Sequence, residues 1–208
     1  GNYPTGTDNV ALGNTALDDG SLSGGYNTAI GNAALSANTS GANNVAVGRL
    51  ALTANTTGSF NTAVGSLAAD AITTGANNTA IGLQALTAAT TSDNNTAVGF
   101  QALLVNTTGA SNTAVGYLAL DANTTADRNV AIGERAMTAN TTGTRNTAVG
   151  PASLFSNTTA SDNVAVGNSA LQENTTGTQN VAVGALALDA NTTGTRNTGI
   201  GYEALSSV

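Results

Sequence analysis

The sequence predicts an all-β fold, a parallel β-solenoid of twelve 17-residue coils, and three observations lead there. First, one unit, N-T/V-A-V/I-G-x-x-A-L-x-x-N-T-T-G-x-x, runs through the chain. It opens at Asn9, Asn27, Asn44, Asn61, Asn78, Asn95, Asn112, Asn129, Asn146, Asn163, Asn180 and Asn197, eighteen residues apart at the first step and seventeen at every later one. A period of this length marks a repeat architecture in which each unit buries surface against the next. Second, position 2 is Thr or Val throughout and position 4 is Val or Ile except at Leu12, so two β-branched side chains share one face of a short strand. Third, "ANTTG" recurs where a helix would have to continue. Asn, Thr and Gly are poor helix formers, and breaks this close together leave no room for two stable helices per unit.

Each element of the coil has its own reason. Asn at position 1 predicts an amide ladder, each side chain bonding its equivalent one coil above and below, through Asn44, Asn61, Asn78, Asn95, Asn112, Asn129, Asn146, Asn163 and Asn180. Position 3 lies on the opposite strand face from positions 2 and 4 and is Ala in eleven units and Gly199 in one. A column held that small, while positions 6, 7, 10 and 11 drift, predicts close packing on both faces of the strand. The coil interior accounts for one face. The Ala face then predicts contact with another chain, through Ala46, Ala63, Ala80, Ala97, Ala114, Ala131, Ala148, Ala165 and Ala182.

Gly at position 5 in all twelve units predicts a corner that needs positive φ or close approach. Leu or Met at position 9, as in Leu120 and Met137, predicts a filling for the coil interior beside position 4. Position 12 predicts a second Asn ladder, and the Thr pair with its following Gly predicts a turn whose hydroxyls bond the backbone. Repeat four departs, with Ala69 in the Leu column and Ile72 in the Asn column, as if the apolar group had moved along the coil. Stacked at strand spacing, twelve coils reach about 55 to 60 Å.

No linker interrupts the repeat. Residues 27–208 read as one continuous repeat domain, and residues 1–26, with Pro4 and the unit "NVALGNTALDDGSLSGGY", predict a junction or end cap. The chain starts without Met and stops inside a unit at "GYEALSSV", which predicts a fragment of something longer. A net charge of -7, with five Arg and no Lys, argues against a nucleic-acid partner, since phosphate neutralisation supplies most of that affinity. No apolar run is long enough to span a bilayer, and nothing reads as a signal peptide. The absence of His, Cys, Lys and Trp removes a necessary group from a Ser-His-Asp triad, a Cys-His pair, a phosphate-loop lysine and a His or Cys zinc site. The expectation is no enzyme, no cofactor and no metal centre.

Several groups remain as candidates. Asp18, Asp70, Asp121 and Asp189 share position 10 but lie at least three coils, roughly 14 Å, apart, too far for a carboxylate pair. Asp93 and Asp127 at position 16 are two coils apart, roughly 9.6 Å, near the range for an inverting pair; solvated surface is the plainer reading. No spaced carboxylate loop for calcium occurs. Phe100 and Tyr117 occupy position 6 of consecutive coils, which predicts stacked rings and a candidate ligand patch, with protection of the ladder as the plainer reading. Arg128, Arg145 and Asp162 form one exposed column at position 17. The Thr columns at positions 13 and 14 raise ice binding, although adjacent Thr side chains point to opposite faces. "NTT" at Asn55 or Asn140 matches a glycosylation acceptor, and structural recurrence of Asn explains it equally well.

The units "NTAVG", "NVAIG" and "NTAIG" resemble the head repeats of trimeric autotransporter adhesins, and "GYLALDANTTA" resembles repeats of phage tail-fibre and tail-fibre-like surface proteins. The resemblance covers essentially the whole chain, although the adhesin unit is shorter than seventeen residues. It implies a left-handed parallel β-roll, three copies of which pack through inner strands such as Asn112 to Gly116 into a homotrimeric rod. Such a rod serves as the shaft or head of a fibre on a virion or cell surface. Attachment to a host receptor or glycan would run through a tip domain outside this chain. Two other expectations stand beside it, a subunit that stacks end to end into an extracellular filament and an ice-binding solenoid.

Overall fold

The computed structural model describes residues 6–206. Pro4 lies outside them. Each unit contributes one three-residue strand at positions 2 to 4, from β1 (Val10–Leu12) through β7 (Thr113–Val115) and β8 (Val130–Ile132) to β12 (Thr198–Ile200). The twelve strands form one sheet in sequence order, all parallel, and each residue pairs with its equivalent one coil on, as Ala114 does with Ala131. The chain is therefore a parallel β-solenoid, and no helix occurs among the described residues.

Hydrogen bonding between coils continues well beyond the strand. In the eighth coil, Val130 N–H donates to the Asn146 carbonyl at 2.9 Å, Met137 to Ser153 at 3.0 Å, Ala139 to Phe155 at 3.1 Å and Thr141 to Thr158 at 2.8 Å, all in the ninth. Gly133 donates backward to Val115 at 2.8 Å, Arg135 to Tyr117 at 2.8 Å and Arg145 to Asp127 at 3.2 Å. The backbone is left-handed at positions 7, 9 and 17 of this path, where Arg135, Met137 and Arg145 have φ of 53°, 55° and 57°. Each such non-Gly residue costs on the order of 1 kcal/mol, which the inter-coil bonds offset. At the position 5 corner the constraint is absolute. Gly116 has φ of 140°, and a Cβ there would run into the Gly133 carbonyl of the next coil.

The interior holds two kinds of column. Ala at position 3, Ala at position 8 and Leu at position 9 form the apolar part, and Ala46, Ala63, Ala80, Ala97, Ala114, Ala131, Ala148, Ala165 and Ala182 are 0% exposed within the single chain. This corrects the expectation that these Ala form an interface, because their side chains point into their own coil. The reason is visible at the one Gly in the column. A Cβ built on Gly199 lies 3.1 Å from Leu188 Cγ and from the Ala204 carbonyl oxygen, so the position 9 side chain of the preceding coil stands directly against position 3 and leaves no space for a side chain larger than Ala. Leu at position 9 thus packs beside position 3, and positions 2 and 4 face outward. In repeat four Ala69 and Ile72 are both buried, Ile72 filling space that Leu fills elsewhere.

Where both Asn are present, the polar columns meet at one oxygen of the coil. Asn112 Nδ2 and Asn123 Nδ2 both donate to the carbonyl of Ala126, at 2.8 and 3.1 Å. From coil to coil the position 1 column is linked by backbone N–H to Oδ1, as Asn112 to Asn95 at 3.0 Å, with amide-to-amide contacts in some coils. The position 12 column is a direct amide ladder, Asn123 to Asn106 at 2.7 Å and Asn140 to Asn123 at 3.2 Å. It breaks where Ile72 and Ala89 stand in its place, and Asn55 Oδ1 is left buried without a hydrogen-bond partner. In the longer first coil the interior slot near this corner is taken by Leu22.

Two outcomes follow. Ala114→Val should lower the denaturation midpoint by about 1–3 kcal/mol through overpacking, whereas Ala at the outward Val115 should cost clearly less in the monomer; urea melts giving the reverse order would contradict the assigned faces. The triple change Ala69→Leu, Ile72→Asn, Ala89→Asn makes the position 12 ladder continuous. Relieving one buried orphan should raise stability by about 1–3 kcal/mol, and an unchanged or lower midpoint would deny the ladder that role.

Candidate functional site

With Ala turned inward, the strands present Thr or Val at position 2 and Val or Ile at position 4 to the outside. Val64, Ile81 and Ile132 are 36%, 39% and 40% exposed, and no charged residue occurs at either position in any coil. In-register parallel pairing lines these side chains into two straight columns across all twelve strands. The stripe is about 53 Å long and about 10 Å wide with its side chains. Its outline is on the order of 500 Å², within the range of the largest patches on single chains, with Thr hydroxyls at seven of the twelve position 2 sites. Reading the sequence alone assigned this stripe to the coil interior. The signal that separates the two choices is steric, since a coil already holding Leu at position 9 has no room for Val and Ile as well.

Around the corner from the strand, Phe100 and Tyr117 stack with ring centroids 5.4 Å apart and planes inclined by 12°. Each ring covers one face of the other, and both side chains remain exposed. The position 17 column contains the one ion pair among the described residues, Arg145 Nε to Asp162 Oδ1 at 2.6 Å, with Nη2 to Oδ2 at 2.9 Å. Both groups are exposed, so the pair contributes little stability.

Asp93 and Asp127 are engaged structurally. Each Oδ1 accepts a backbone N–H from position 16 of the preceding coil, from Ala76 and Ala110, both at 2.7 Å. Ser59 and Ser161 do the same for Ala42 and Thr144 at 3.0 Å. The first Thr of most pairs is also committed, Thr56 Oγ1 donating to the Thr73 carbonyl and Thr107 Oγ1 to Thr124, both at 3.0 Å, while the second, as at Thr57 and Thr108, is exposed in a bend. Asn55 and Asn140 are fully buried, which places the matching acceptor sequences out of reach in the folded chain.

The position 10 carboxylates carry an unexpected feature. Asp70, Asp121 and Asp189 each hold a buried Oδ1 with no hydrogen-bond partner. Burial pushes the Asp121 carboxyl above its ordinary value, against the weaker pull of the N–H groups of Asp121 and Ala122 and the charge of Arg135. Burial raises Asp70 in the same way, against the N–H groups of Asp70 and Ala71. Successive members of this column lie three or four coils apart, so they form no pair. Among the described residues no cluster of three or more acidic side chains is placed to hold a metal ion, and no helix is long and apolar enough to cross a membrane.

The sign of the pH effect follows from the direction of the shift. A carboxyl whose folded pKa exceeds its unfolded value binds its proton more tightly in the native state, so ionisation costs native stability above that pKa. Asp121→Asn should therefore stabilise the fold at pH 7, with the gain shrinking as pH falls through the raised pKa and absent below the ordinary carboxylate range. Melting curves from pH 3 to pH 8 check this, and a gain that grows toward low pH would contradict it. No protein-family model, curated protein or solved structure matches the chain.

Proposed function

We propose that this chain is the shaft or head segment of a trimeric fibre whose role is mechanical, holding an attachment element away from a virion or cell surface. The observation that carries the reading is the uncharged Thr/Val and Val/Ile stripe on the outward strand face, which runs the length of the described solenoid. Cyclic assembly of three copies around one axis would remove the stripe of every copy from water, at about 25 cal/mol per Å² of apolar area. The interface proposed here is thus positions 2 and 4, including Val98, Val115 and Ile132, in place of the Ala column. The reading is supported also by the resemblance of "NTAVG" and "NVAIG" to adhesin and tail-fibre repeats. The fibre role asks for no reaction, and the committed hydrogen bonds of Asp93 and Asp127 are consistent with that.

Ice binding keeps a place for a different reason than the Thr pair. Thr at position 2 of seven units, beside Val or Ile at position 4, stands in a regular in-register strand array, which is a better match to an ordered surface than Thr in a bend.

Light scattering across a dilution series tests both readings. The fibre predicts a stable species near three times 20.2 kDa, dispersed to monomer by Val98→Asp, Val115→Asp and Ile132→Asp together, with the fold retained by circular dichroism. A monomeric wild-type chain would refute the fibre interface, and thermal hysteresis from that monomer, lost in the same variant, would transfer the face to ice.

A further inference from the structure

We propose that a cleft on coils eight to ten binds a single neutral sugar ring. At position 7 several coils carry a half-buried Leu, as at Leu50, Leu67, Leu118 and Leu186. The ninth coil has Ala152 there, and a cleft of about 280 Å³ opens, lined by Glu134, Arg135, Pro151, Ala152, Phe155 and Gln172. Positions 6, 7 and 10 vary from coil to coil, and this coil alone combines Pro at position 6, Pro151, with an aromatic ring at position 10, Phe155, on either side of the small Ala152.

The lining has the chemistry of a pyranose. The rings of Phe155 and Pro151 supply apolar walls for C–H faces, while the guanidinium, carboxylate and carboxamide of Arg135, Glu134 and Gln172 are planar polar groups that donate to and accept from adjacent hydroxyls. Unlike the Phe100–Tyr117 stack, Phe155 has no aromatic partner among the described residues. The volume suits one ring and no more. Charge selects the class of sugar. Arg135 is flanked by Glu134 and acts on the Asp121 carboxyl, and the chain carries a net -7, so an acidic sugar gains nothing here. The site lies outside the outward strand columns and does not depend on the assembly proposed above.

Saturation-transfer difference NMR tests the site with methyl α-D-glucopyranoside, methyl α-D-mannopyranoside, methyl β-D-galactopyranoside and N-acetyl-D-glucosamine. The expected result is transfer to the ring protons of at least one of the four, lost in Ala152→Leu and in Phe155→Thr and retained in Phe100→Thr. Ala152→Leu is a safe variant for the fold, because Ala152 has φ of 54° and Leu118 and Leu186 occupy the same position at 52° and 58°. No transfer from any of the four sugars, or undiminished transfer in a folded Ala152→Leu, overturns the proposal.

Discussion

Everything in this solenoid depends on how a coil too narrow for a conventional core satisfies its buried polar groups. Seventeen residues enclose Ala, Ala and Leu plus two Asn, and the two amides converge on one backbone carbonyl, as Asn95 and Asn106 do on Gly109, both at 2.9 Å. The remaining amide capacity is spent on the neighbouring coil. An amide is suited to this task because it donates and accepts at once, so a stack of identical side chains satisfies itself. A carboxylate column would repel itself and a hydroxyl column would reach less far. The apolar filling is secondary to this, since repeat four tolerates the exchange of Leu and Asn for Ala69 and Ile72 with only one orphaned oxygen on Asn55.

The same economy explains why the period, the strand, the corner and the ladder columns were legible from residues alone. Each is a position where one side chain or none satisfies a local demand, and twelve copies print that demand as an invariant column. The facing of the strand was not legible in the same way. A column of Ala is compatible with a neighbouring chain and β-branched Val and Ile with a core, yet a shift of one residue along a strand exchanges its faces. What decided the matter was the radius of the coil, expressed in the 3.1 Å approach of a Gly199 Cβ to Leu188. That radius emerges from the backbone path, including the left-handed residues at positions 7, 9 and 17, and no propensity of Leu or Arg announces such a conformation.

The raised Asp121 and the cleft beside Phe155 were illegible for a related reason. Burial raises Asp121 as it raises Asp70 at the same position, and burial depends on the backbone path. The cleft joins side chains on different coils that occupy different positions of the unit, which a column-by-column reading keeps apart. Candidate site residues drawn from within one column, such as Asp93 with Asp127, proved to be bonded along the stack instead. Individuality in a repeat protein of this kind is written diagonally, across positions 6, 7 and 10 of successive coils, while the columns themselves write the scaffold.

The position-for-position register of the sheet has a consequence for how such a chain changes over generations. When coding DNA slips by one whole unit during copying, position 17 of one coil joins position 1 of another, and every amide, carbonyl and methyl group finds the partner it had before. The product is one coil longer or shorter, by about 4.8 Å, with an identical joint. Slippage by a number of nucleotide triplets that is not a whole multiple of seventeen shifts the columns of one coil against those of the next. Reach in this molecule is therefore inherited in whole steps.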